Sequence, residues 1–235
     1  IPVIIADRQV KVKDDSLYTT WVGADFYQEG QKACSWMEQY AERNKKKTLN
    51  IVHVMGTEGA TAQIVRTKAL EEAAKKNGWN ILEQQTGAFT QAKSHEVMEE
   101  YLKKYKDIDM VYCENDSEAL GAINAIEQAG KKVGTDGIQI ISFDATREGL
   151  AEVQNGKIAV DVECNPDFGK KIEKIIKQLE YKRDVNKEYY IGDKIYTQNK
   201  SISTIEIEKA KWSVTVVIGL AHTGGAEEEE AADGA

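Results

Sequence analysis

The chain has 235 residues, 41% hydrophobic and 30% charged, which suits a folded protein with its own core and is too apolar for a disordered one. Lys and Arg number 31 against 39 Asp and Glu, and the formal charge of -8 argues against nucleic acid or an anionic membrane surface as a partner. No run approaches the ~20 apolar residues of a membrane span, so an integral membrane protein is not expected. The longest, Val214 to Leu220, is interrupted by Thr215 and Gly219.

The opening residues Ile1 to Ala6 read as a short buried strand, ended by polar Asp7 and Arg8. Tyr18 to Gly23 reads as a second strand. A helix is expected over Phe26 to Arg43, with Asp25 as its N-cap and Phe26, Ala33, Met37 and Tyr40 on one face. Leu49 to Met55 is a strand running into a turn at Gly56 to Gly59. Helices over 61–77, 92–105, 117–129 and 147–155 then alternate with strands over 79–84, 110–113, 138–143 and 158–162. Gly78 and Gly130 stand where helix-stopping residues belong. A last helix over 168–179 precedes short extended segments at 188–191 and 194–196.

Strands alternating with helices of this length imply βαβ units and a parallel sheet. Ligands of such sheets bind beyond the carboxyl ends of the strands. The residues at those ends are therefore the ones to examine. Neither a GxxxxGK[ST] nor a GxGxxG phosphate loop is present, nor a GxSxG elbow. His53, His95 and His222 have no partners at ligand spacing and read as structural or exposed. Cys34, Cys113 and Cys164 are too scattered for a zinc site or a disulfide framework and read as small buried hydrophobes. No cofactor is implied and an enzyme is disfavoured. The strand ends instead supply Asp7, Arg8, Arg66, Asn115 and Asp144, with Phe89 as an aromatic plate. Planar bidentate groups beside a ring suit a polyhydroxylated neutral ligand. Asp and Asn after strands also serve as turn and cap residues, and that reading stands beside the first.

Several stretches carry a family resemblance. IPVIIADR, MGTEGATAQIVRTKALEEA, the segment from Gly87 to Gly130, ISFDATREGL and VDVECNPDFGKK occur in the order seen in periplasmic sugar-binding proteins of the ribose and galactofuranose type. The VECNP form is nearer the galactofuranose subgroup. The resemblance runs from Ile1 to about Lys200. It implies an α/β fold of two Rossmann-like lobes, the first incomplete here and the second complete, closing on one sugar. It further implies delivery of that monosaccharide to an ABC transporter permease, in a periplasm or at an extracellular lipid anchor. Asp7, Arg8, Asn115 and Asp144 would bond sugar hydroxyls, and Arg66 would reach the sugar from the start of its helix. Phe89 would stack on the ring. Cys164, or its neighbours Glu163 and Asn165, would supply a ligand contact near the hinge. Val65 stands where the family often carries an acid, which would alter selectivity.

The expected division is a partial N-terminal lobe at 1–24, a sugar-binding lobe at 25–163, a return helix at 164–182, and hinge and terminal strands at 183–211. An unmatched, disordered acidic tail is expected at 212–235. The chain reads as a fragment whose targeting segment lies upstream. A half-built lobe would leave apolar faces uncovered, so self-association is expected. A sugar-sensing core of a lactose-repressor-type regulator or a chemosensory receptor is the alternative reading.

Overall fold

The structure, a computed structural model, describes residues 1–198. The expected acidic tail lies outside the described residues, as does the end of the terminal-strand segment. The chain builds two sheets. The smaller contains β1 (Ile4–Ala6), β2 (Thr20–Ala24) and β8 (Glu188–Ile191), all parallel, in the order β1-β2-β8. Only the end of the expected opening strand pairs, because its ladder with β2 begins at Ile4 opposite Thr20.

The larger sheet contains β3 (Asn50–Met55), β4 (Asn80–Thr86), β5 (Met110–Cys113), β6 (Gln139–Asp144), β7 (Ile158–Glu163) and β9 (Ile195–Thr197). Its order is β4-β3-β5-β6-β7-β9, parallel except for β9. The inner strands β3, β5, β6 and β7 are short and almost wholly buried, as a sheet covered by helices on both sides requires, whereas edge strand β4 carries Glu83, Gln84 and Gln85. α1 (Phe26–Arg43) and α2 (Thr61–Asn77) cover one face, where Met37 and Leu70 meet Ile51, Tyr112 and Phe143. α3 (Gln91–Lys104), α4 (Asp116–Gln128) and α5 (Arg147–Gln154) cover the other, where Met98, Tyr101 and Ile126 meet Val52, Val111 and Ile140. Helix limits follow local chemistry. Asp25, Thr90, Asn115 and Thr146 each cap a helix through the side chain, and Gly78 ends α2 in the left-handed conformation.

The chain passes between the sheets three times: at Asp25, after β7, and between β8 and β9. The second crossing carries α6 (Gly169–Glu180), which lies near β8 with Lys171 over the Tyr189 ring. Side chains tie the second and third crossings together. The Asn165 N–H donates to Asp193 Oδ1 at 3.1 Å, and the Lys194 N–H to Glu163 Oε2 at 3.0 Å. Lys32 of α1 donates to the Asp193 carbonyl at 3.0 Å. Among the described residues, no helix is long and apolar enough to cross a membrane.

Candidate ligand-binding site

Asp7, Arg8, Arg66, Phe89, Asn115, Asp144 and Cys164 line a single cavity of 240 Å³ between the two sheets. Phe26, Ala62, Ser117, Thr146, Pro166 and Phe168 complete its wall. A larger groove of 520 Å³ runs along α1 beside Trp36, but it gathers no carboxylate and lies away from the parallel strand ends. The smaller cavity is the one that collects the chemistry.

Asp7 and Arg8 leave β1. Asp7 sits at φ 68, a left-handed conformation held by its neighbours: its N–H donates to Val22 O and its carbonyl accepts from Trp21 Nε1, each at 2.9 Å. Burial raises the Asp7 carboxyl above its ordinary range, with Arg8 and Arg66 opposing. Phe89 follows β4 at φ 58, its N–H given to Glu118 Oε1 at 2.8 Å. Its ring lies against Gly56, and the Arg8 guanidinium stands 5.4 Å from its centroid, a cation–π contact across the cleft. Asp144 ends β6 at φ 105. Three cavity-facing side chains thus ride on backbone that non-glycine residues avoid.

The turn after β6 is bound from below. Asp116 accepts from the Thr146 N–H and hydroxyl, each at 2.7 Å, and Asp161 accepts from the Ala145 N–H at 3.1 Å. Burial pushes the Asp144 carboxyl up to about 8; Arg66 opposes the shift, while Asp116, Glu29 and Asp7 add to it. The side chain remains 33% exposed, toward the cavity.

Arg66 is nearly inaccessible, at 2% exposure. It projects from the second turn of α2, between the Phe26 and Phe143 rings at 5.4 and 4.6 Å. Its Nε and Nη2 donate to Glu29 Oε2 at 2.9 and 2.6 Å, and its Nη1 to Glu114 O at 2.5 Å. Of five guanidinium N–H groups, two remain for the cavity. Burial disfavours the charge, but Glu29 first and Asp144 second outweigh it and hold the group protonated.

Asn115 is a cap and also reaches the cavity. Its Oδ1 caps α4 through the Glu118 N–H at 2.9 Å, and its amide nitrogen faces the cavity with a long 3.4 Å contact to Phe89 O. The Cys164 thiol lies beside Glu29, Arg66, Asp144 and Asp7; burial lifts it well above the ordinary thiol range, so it stays protonated and unreactive. Glu163 and Asn165 are taken up in the crossings. Val65 does not reach the cavity; it packs with Ala24, Phe26 and Ala62 and lines a separate small pocket. His53 is buried between Gln84 at 3.0 Å and Glu114 at 3.2 Å, a structural bridge. Among the described residues, no cluster of three or more His, Cys, Asp or Glu could hold a metal.

Sequence reasoning missed Phe26, Phe168 and Glu29. Phe26 and Phe168 are aromatic residues next to chain crossings, which was the available signal. Glu29 had none, because a mid-helix glutamate reads as a solvated one.

The family profile of the periplasmic binding protein domain matches residues 1–180. The chain belongs to that family. Galactofuranose-binding protein YtfQ of Escherichia coli (strain K12) is 39% identical over 173 residues, covering 72% of this chain and 53% of that protein. Periplasmic binding proteins of this kind are thus matched over about half their length. A solved galactofuranose-binding protein superposes with a TM-score of 0.82 at 34% identity, covering 91% of this chain and 72% of that one. The arabinose ABC transporter binding protein of Shewanella sp. ANA-3, bound to α- and β-L-arabinofuranose, gives 0.81 at 33% identity, with 96% and 73% covered. In this chain the family's α/β architecture places the cavity between the two sheets.

Proposed function

We propose that the protein captures one monosaccharide in this cleft and hands it, chemically unchanged, to an ABC import permease. The observation that carries this reading is the convergence of seven polar and three aromatic side chains on one cavity between the sheets. The volume of 240 Å³ falls below the ~300–1,000 Å³ of drug-sized ligand sites, which favours a single sugar ring. Asp7 and Asp144 accept from hydroxyls or, protonated, donate to them. Arg8, Arg66 and the Asn115 amide donate. Phe89, Phe26 and Phe168 cover the apolar faces of the ring. A furanose is the favoured ring form, because the relatives above bind galactofuranose and arabinofuranose. Working in the periplasm, or tethered outside a cell, follows from the same kinship. Nothing in the import-protein relatives favours a regulator.

The test is calorimetry against L-arabinose, D-galactose, D-fucose, D-ribose and D-fructose, after a thermal-shift screen. A ligand that binds only the folded state raises the melting temperature. Saturable binding of one sugar at micromolar or tighter affinity is expected. No response to any of the five would remove the reading.

A further inference from the structure

We propose that Glu29 is a positioning residue that draws the Arg66 charge away from Asp144, leaving both groups polar atoms free for the ligand. The inference rests on the sugar-capture reading. Arg66 is buried and must have a counter-charge. Two carboxylates are within reach. Glu29 Oε2 lies 2.6 Å from Nη2 and also takes Nε, whereas Asp144 Oδ1 lies 3.6 Å from Nη2. The carboxylate that neutralises Arg66 decides what faces the sugar. Paired to Asp144, the guanidinium would close on the one carboxyl that β6 aims into the cleft. Paired to Glu29, it is fixed from behind, with two N–H groups turned forward.

Glu29 also costs stability where it stands. It is fully buried on α1, and burial raises its carboxyl, with Arg66 and then the Cys164 thiol opposing the shift. Taking a carboxylate out of water is destabilising in a core. An apolar helix contact would serve packing better, so the site retains the glutamate for its charge. The groups facing Asp144 are Arg66 from α2, Glu29 from α1, Asp7 after β1, Asp116 and Glu118 from α4, and Asp161 and Cys164 from β7 and its exit. Arg66 is the cation among them, and only its allegiance can be redirected by one change.

The experiment compares the full chain with Glu29→Gln and Glu29→Asp. Carbon NMR of aspartate-labelled protein follows the Asp144 carboxyl, assigned through Asp144→Asn, and calorimetry follows the best sugar of the panel. In Glu29→Gln the Asp144 midpoint falls by about one pH unit or more, from loss of the Glu29 charge together with approach of Arg66. A crystal structure of the variant separates the two: the Arg66 Nη2–Asp144 Oδ1 distance should shorten from 3.6 Å to hydrogen-bond length. Sugar affinity falls about tenfold or more. Glu29→Asp keeps the charge and restores most of both; it also serves if Glu29→Gln fails to fold. An Arg66–Asp144 distance unchanged in the folded variant overturns the inference, even if the midpoint and the affinity drop. If no sugar binds the unaltered chain, the capture reading fails, and that distance alone decides whether Glu29 holds Arg66 off Asp144.

Discussion

Gly56 leaves the space that the Phe89 ring occupies: a Cβ at position 56 would stand 2.0 Å from the ring Cζ and 2.2 Å from Cε1. The glycine after β3 therefore serves aromatic packing and not a phosphate cradle. Gly56→Ala should push the ring into the cavity or out of it. Loss of an aromatic contact is worth about 0.5–1.5 kcal/mol, so sugar affinity should fall up to about tenfold. Calorimetry on the variant checks this; unchanged affinity would show that Phe89 is not a sugar platform.

Arg66→Ala should damage the fold as well as the site. The substitution strands Glu29 as a buried, unpaired charge and removes the donor to Glu114 O. Breaking a buried pair in this way costs about 3–5 kcal/mol. Urea denaturation should show a large fall in midpoint. A variant of normal stability that has merely lost its ligand would contradict the buried-pair account.

Arg8→Ala should do the opposite. Arg8 is exposed, and its contact to Phe89 spans the cleft. Stability should change by no more than about 0.5 kcal/mol. Sugar affinity should drop about tenfold or more, through a lost charge-assisted hydrogen bond. The pair of measurements, melting temperature and Kd, separates the two arginines.

Stability should fall as pH rises from about 5 to 8. Asp144 titrates at about 8 and Asp193 at about 7 in the fold, each raised by burial from 3.8. Between 3.8 and those values the unfolded chain has released protons that the native state keeps. Their contribution is therefore complete below pH 3.8 and is lost as pH climbs through the folded values. Melting curves across this range should show the decline. Asp193→Asn should flatten it, since an amide oxygen still accepts from Asn165 and cannot ionise. An undiminished slope in both Asp193→Asn and Asp144→Asn would place the proton uptake elsewhere.

The βαβ order was legible because most strands are compact apolar runs and α1 to α5 each have a side-chain cap or a glycine stop. The cavity-lining residues were legible for a topological reason: parallel strands deliver their exits to one edge, and Asp7, Phe89, Asn115, Asp144 and Cys164 all follow strands. Arg66, grouped with the strand ends and also carried by the family motif, sits on the second turn of α2. What could not be seen was pairing across the chain. Glu29 and Arg66 lie on different helices, and nothing in either sequence neighbourhood announces the other. Asp116 and Asp161 beneath the Asp144 turn are hidden in the same way. The short extended segments expected at 188–191 and 194–196 correspond to β8 and, one residue displaced, to β9, but that they join different sheets, one parallel and one antiparallel, is set by tertiary contact.

The left-handed backbone under Asp7, Phe89 and Asp144 constrains how this binding site could diverge. Side chains at such positions cannot be exchanged freely, since a β-branched replacement would clash with its own peptide. Ser117, Thr146 and Cys164 line the same cavity from backbone without that restriction. Descendants that change cargo would accordingly keep the three strained anchors and vary these small neighbours, so one scaffold could sample many sugars without rebuilding its turns.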